Sequence, residues 1–237
     1  AQLQDGQVVP SISCEAIADK VIGCGDVVIL KSVFDREPLI RFRDRVFQWG
    51  IATELTNPKS PTVSYHRIDE NPPLSKTNRI LHGYSFLFDE NNQAILGEHG
   101  DAVLIEEIGR YSDALISLQN RIAGTSGGYA PDASGQYMRP HVIRYPSGGG
   151  FGGVHEHPPE PQRIGLILTM SDTGVDCQTG GTRFKPEDTW LDAEEYQEMG
   201  DICIFKYNIP HDISIVDESE KLDWSSRRGR WTMIMPY

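Results

Sequence analysis

No stretch of this chain approaches the roughly 18 consecutive apolar residues that a membrane span needs. Positive charge is also short: 22 Lys and Arg stand against 34 Asp and Glu, a formal charge of −12. Phosphate backbones and anionic lipid surfaces are bound by clustered Lys and Arg, so neither nucleic acid nor membrane is an expected partner. Cysteine is scarce and scattered. Cys14, Cys24, Cys177 and Cys203 form no C-x-x-C pair, which fits free thiols in a reducing cytoplasm better than a disulfide framework. The opening Ala1-Gln2-Leu3-Gln4-Asp5 has no basic region followed by an apolar segment, so no secretory signal is read there and a cytoplasmic location is expected.

What is present divides the chain in two. The 237 residues suffice for one well-buried core, and 1–237 is read as a single domain without repeat or linker. Residues 1–136 look like helical and irregular support and rim. Val27-Val28-Ile29-Leu30 is a short strand; Asp35 caps a helix whose apolar residues Leu39, Ile40, Phe42, Val46 and Phe47 follow at helical spacing, and Gly50 is expected to stop it. A second helix is predicted from about Asp101 to Ala123 on the stripe Val103, Leu104, Ile108, Tyr111, Leu115, Leu118 and Ile122. Asn57 to Asn92, rich in Pro, Asn and Ser, reads as irregular, and Gly124 to Gln136 as a flexible loop. From residue 137 the signals turn to β, with strands predicted at His141–Tyr145, Arg163–Met170, Thr182–Phe184, Asp201–Phe205, Ile213–Val216 and Arg230–Met235. The fold class is therefore α+β, mainly β: a jelly roll with supporting N-terminal helices.

The chemistry concentrates in that second part. Val142-Ile143-Arg144-Tyr145 leads through a glycine-rich turn into His155-Glu156-His157. In a strand, residues i and i+2 share a face, so His155 and His157 can point at one atom. His211 follows just past the Asp201–Phe205 strand, giving three neutral imidazoles, a set that suits iron, zinc, copper or nickel and leaves positions open for substrate or dioxygen. Arg230 and Thr232 share a face of the closing strand. A guanidinium there can grip a carboxylate in two parallel hydrogen bonds, with the hydroxyl adding a third contact. Tyr145 reads first as core and second as a cofactor contact. Cys203 reads as buried packing, Asn208 as a turn residue, and His66, His82, His99 and His141 as surface or packing residues.

The ordered set Arg144-Tyr145, His155-x-His157, the strand opened by Arg163, Gly180-Gly181, Gly200-Asp201, His211 and Arg230-x-Thr232 resembles the iron(II)- and 2-oxoglutarate-dependent dioxygenases, in particular their prolyl-hydroxylase-like branch. The match covers about residues 140 to 236. It implies a double-stranded β-helix, Fe(II) held by His155 and His211, the distal carboxylate of 2-oxoglutarate on Arg230, and oxidation of a substrate by dioxygen with release of succinate and CO₂. A small-molecule substrate is expected, selected by the irregular segment with Tyr65, His66 and Tyr84 and by the 124–136 loop. Two departures stand out. The second ligand of the family is usually Asp or Glu where this chain has His157, so either His157 is a ligand or Glu160, beyond Pro158-Pro159, swings back in its place. A polar insertion, Asp217 to Trp224, also separates His211 from Arg230 and makes Arg228 a rival for the carboxylate role. The other readings are a cupin-like metal enzyme without 2-oxoglutarate, with His155, His157, Glu160 and His211 on one metal, and a jelly-roll binding module.

Overall fold

A computed structural model describes residues 1–56, 64–69 and 80–237. The chain opens on the hairpin β1 (Gln2–Gln4) and β2 (Gln7–Val9) and a short helix α1 (Cys14–Ala18), followed by strand β3 (Val28–Leu30), helix α2 (Arg36–Ala52) and strands β4 (Ser64–Asp69) and β5 (Ile80–Ser85). A small hairpin, β6 (Leu87–Phe88) with β7 (Ala94–Ile95), precedes the long helix α3 (Ala102–Ala123). Eight strands complete it: β8 (His141–Pro146), β9 (Gly150–His155), β10 (Ile164–Thr169), β11 (Thr182–Phe184), β12 (Leu191–Asp192), β13 (Ile202–Lys206), β14 (His211–Val216) and β15 (Gly229–Ile234).

Pairing is antiparallel and interleaved, in the order β12-β11-β14-β9-β5-β8-β15-β10-β13-β3, with β4 on β5. The sheet curls on itself. Ile143 and Tyr145 of β8 pack with Ile213 and Val216 of β14, and Phe184 of β11 packs with Cys203 and Phe205 of β13. This is the expected jelly roll, and alternation along each strand sorts its side chains. On β15, Arg230, Thr232 and Ile234 face the inside of the roll, while Trp231 and Met233 join the helices in the larger core.

The two helices form where predicted, with local corrections: Asp35 stands at the N-cap of α2, but its side chain makes no capping hydrogen bond. Asp101 caps α3 by accepting from the Leu104 amide at 2.8 Å, and Gly124 ends it in the left-handed region at φ 69°. Leu104, Ile108, Leu115, Leu118 and Ile122 are buried, whereas Val103 lies off the stripe and is exposed. Helix α2 does not stop at Gly50. A Cβ at that position would stand 2.1 Å from the Tyr84 ring, so this glycine is there for close approach and the helix continues to Ala52. The larger correction concerns Asn57 to Asn92. Residues 57–63 and 70–79 lie outside the described residues, but β4 and β5 are regular strands, and β5 pairs with both β8 and β9. The 124–136 segment is a loop as predicted, yet it is tied down: Tyr129 stacks on Phe88 and donates to Asp113 at 2.6 Å. Among the described residues no helix is long and apolar enough to cross a membrane.

Between the sheet and α2 lies a buried polar cluster. The Arg144 guanidinium lies beside the rings of Phe47 and Trp231, 5.1 and 5.8 Å from their centres, and its Nη2 meets His82 Nδ1 at 2.6 Å and donates to the Trp224 carbonyl at 3.1 Å. His82 also hydrogen-bonds the Tyr65 hydroxyl. It is a packing residue, as read from the sequence. Burial first, and the neighbouring Arg144 cation second, push its pKa down to about 2. An unfolded imidazole titrates near ~6.5. Between those values the unfolded chain holds one proton more than the fold at this site, so stability rises with pH across that window, by about 1.4 kcal/mol per pH unit. Urea unfolding of metal-free protein between pH 4.5 and 6.5 should show this, and His82→Gln should lower the slope by about one proton. Identical slopes would mean that His82 titrates freely in the fold.

Candidate metal centre

Strand β9 ends at His155, and its Cα partner across the sheet is His211, the first residue of β14. Interleaved pairing has thus placed two distant histidines side by side. Each is oriented in the same way. His155 Nδ1 lies 2.8 Å from the Gly153 carbonyl, and His211 Nδ1 lies 2.8 Å from the Ile209 carbonyl. A carbonyl only accepts, so Nδ1 carries the proton in both rings and Nε2 keeps its lone pair for a metal.

His157 arrives by a different route from the expected one. The strand stops at His155, so His157 is not on it; its amide donates to the Tyr207 carbonyl at 3.3 Å, and its ring stacks on Tyr207 with centroids 4.2 Å apart. Its ring still turns toward the others. Potential ligand atoms of His155, His157 and His211 all lie within 4.8 Å of one another. Metal–imidazole bonds of about 2 Å place ligand nitrogens up to about 4 Å apart, so small ring adjustments fit this donor set to one ion. Glu160 is not brought in: it is exposed and ion-pairs with Arg163 at 3.9 Å. Glu156 also faces solvent.

The three imidazoles line a cavity of about 300 Å³. Its inner wall is apolar, formed by residues such as Ile143, Ile167, Phe205 and Ile213, with the hydroxyls of Tyr145 and Thr232 among them. Burial raises the pKa of Tyr145, against the opposing pull of Arg230, so its hydroxyl stays protonated and able to donate.

Arg230 is fully buried but does not line this space. Its Nε donates to Glu194 at 2.7 Å and its Nη1 to the Trp231 carbonyl at 2.6 Å. The rival Arg228 is at the surface, paired with Glu220 at 2.6 and 2.9 Å. Asn208 is an exposed turn residue, as anticipated.

Two histidines read as surface or packing belong to the cavity. His141 lines it from β8. His66 lines it from β4, is 7% exposed, and has a buried Nδ1 without a hydrogen-bond partner. Burial, and secondarily the charge of Arg139, push its pKa down to about 4, so it is a neutral polar group facing the cavity. The alternation of His66 and Ile68 was the available signal, hidden in a stretch that looked irregular. Tyr65 and Tyr84 face the helices instead, and no residue of the 124–136 loop lines the cavity.

No family model matches the sequence, and no curated protein matches it. Solved structures do. A prolyl-4-hydroxylase of Pseudomonas putida superposes with a TM-score of 0.55 at 14% identity, over 94% of this chain and 96% of that one. The non-haem α-ketoglutarate-dependent epimerase of nogalamycin biosynthesis gives 0.55 at 12% identity, over 93% and 81%. A Trichoplax adhaerens prolyl hydroxylase, solved with a hypoxia-inducible-factor peptide, gives 0.52 at 12%, over 94% and 88%. The chain has the fold of the 2-oxoglutarate oxygenases. In those terms β8 to β15 form the double-stranded β-helix, and the histidine cluster sits at the mouth of its roll.

Proposed function

We propose that this chain is a non-haem iron, 2-oxoglutarate-dependent oxygenase that oxidises, by hydroxylation in the first instance, a small molecule. The observation that carries the reading is the convergence of three imidazoles, two with their tautomers set by backbone carbonyls, on a largely apolar cavity inside this fold. His155, His157 and His211 would hold the iron. Bound iron and 2-oxoglutarate supply an oxidant from dioxygen, with release of succinate and CO₂. The protein's part is positioning and exclusion of water. Tyr145 and Thr232 offer hydroxyl donors along the inner wall, and Arg230 stands behind them in register with Tyr145. The aliphatic walls keep water from the reacting atoms. His66 and His141 face the remaining space, where a neutral imidazole can hydrogen-bond a substrate hydroxyl or carbonyl. A cavity of this size sits at the small end of ligand sites, which supports a small molecule as substrate.

One observation favours a metal enzyme without 2-oxoglutarate: Arg230 already holds a carboxylate, that of Glu194. The two readings separate in a direct assay. With Fe(II) and ascorbate in air, the purified protein should convert 2-oxoglutarate to succinate, slowly without substrate and faster with one. Full iron occupancy with no succinate under any substrate tried would leave the metal-enzyme reading standing and remove this one.

A further inference from the structure

Arg230 lies on the inner face of β15, two residues from Thr232 and opposite Tyr145, both of which line the cavity. It is a fully buried cation behind that wall, outside the cavity lining, and its donors are taken. Nε donates to Glu194 Oε1 at 2.7 Å, Nη1 to the Trp231 carbonyl at 2.6 Å and to Ser171 Oγ at 3.4 Å, and Nη2 to Thr182 Oγ1 at 3.3 Å. A carboxylate is gripped in two parallel bonds by adjacent donors of the fork. Here Glu194 interrupts one edge and the Trp231 carbonyl the other.

Glu194 is itself built into place. Its Oε1 also accepts the Thr182 amide at 3.0 Å and Gln197 Nε2 at 2.7 Å. Its stem lies over Gly181, where a Cβ would stand 1.9 Å from Glu194 Cγ. Only a glycine leaves room for that side chain.

We propose that Glu194 is an internal competitor for the carboxylate slot at Arg230, and so sets how strongly the site prefers a 2-oxo acid bearing a second carboxylate over one lacking it. The inference rests on the oxygenase reading above. With Glu194 seated, a dicarboxylate meets a neutralised guanidinium and a like charge, and gains little from its distal group. A 2-oxo acid with an apolar tail loses nothing, because the wall it meets is made of Ile167, Ile213 and Phe205. Glu194 is thus a specificity-determining residue that touches neither the metal ligands nor the cavity.

The test is calorimetric binding of 2-oxoglutarate and of 2-oxopentanoate to the full chain loaded with Fe(II) without dioxygen. Wild type should bind the two within about tenfold of each other. Glu194→Gln should tighten 2-oxoglutarate by about tenfold or more, the size of a hydrogen bond to a charged group, and leave 2-oxopentanoate unchanged. Gly181→Ala, which evicts the Glu194 side chain by contact, should act in the same direction, so the proposal does not depend on one variant folding. A selectivity that neither variant raises would overturn the role of Glu194 while leaving the oxygenase reading intact. If neither 2-oxo acid binds the iron-loaded protein, the oxygenase reading falls, and this proposal with it.

Discussion

His155→Ala and His211→Ala will each abolish stoichiometric iron binding. Removing either would take away one of the three proposed nitrogen donors and leave at most two. The effect should exceed the roughly 10–100-fold typical of losing an outer partner of a ligand, and metal analysis after gel filtration will read it directly. The informative comparison is at His157. Alanine there should lose iron as well, whereas aspartate should keep it, because a carboxylate restores a two-histidine, one-carboxylate set and adds a negative charge beside the cation. Glu160→Ala should change nothing, since that side chain faces solvent. Full iron content in the His157→Ala protein would remove His157 from the ligand set.

Arg230→Ala will destabilise the fold before it affects catalysis. Arg230 is entirely buried and its partner Glu194 nearly so. Breaking such a pair from one side leaves an uncompensated buried carboxylate, at a cost of about 3–5 kcal/mol. Urea denaturation should show this loss, and Arg230→Ala with Glu194→Gln should recover part of it, the coupling that a double-mutant cycle isolates. An additive cycle would contradict the pair. Iron binding in any folded fraction should be unaffected, because neither residue belongs to the histidine cluster. Binding of 2-oxoglutarate should weaken in the Arg230→Ala protein, because the Glu194 carboxylate then stands at the slot as a like charge without its cation.

The three histidines and the strands around them could be read from the sequence because both rest on local patterns. Apolar alternation placed β8, β10, β11, β13, β14 and β15 to within a residue or two, and the histidines stood out by spacing. The reason offered for His157 was nevertheless the wrong one: it reaches the cluster by leaving the strand and stacking on Tyr207, not by sharing a strand face with His155. Tyr207 itself continues the inward alternation of Cys203 and Phe205 and could have been found that way. Strand β9 reads as a glycine-rich turn because three of its six residues are glycine, a poor strand former that here allows close packing. His66 was hidden because β4 is flanked by Pro- and Asn-rich sequence. Glu194 carried no signal at all. Its meaning depends on a partner 36 residues away and on the missing side chain of Gly181, both of which exist only once the roll has closed.

The pairing of His155 with His211 has a thermodynamic side. These residues sit on β9 and β14, whose ladder is broken by two register shifts. An ion shared between them would act as a clasp on this irregular seam of the roll. The unfolded chain, with the two histidines far apart, has no equivalent site, so metal affinity and folding become linked equilibria. Each tenfold rise in free metal above the dissociation constant should then add about 1.4 kcal/mol to the work of unfolding. Scarcity of iron would show itself first as a loosened seam, and the lifetime of the protein in a cell would follow its metal supply.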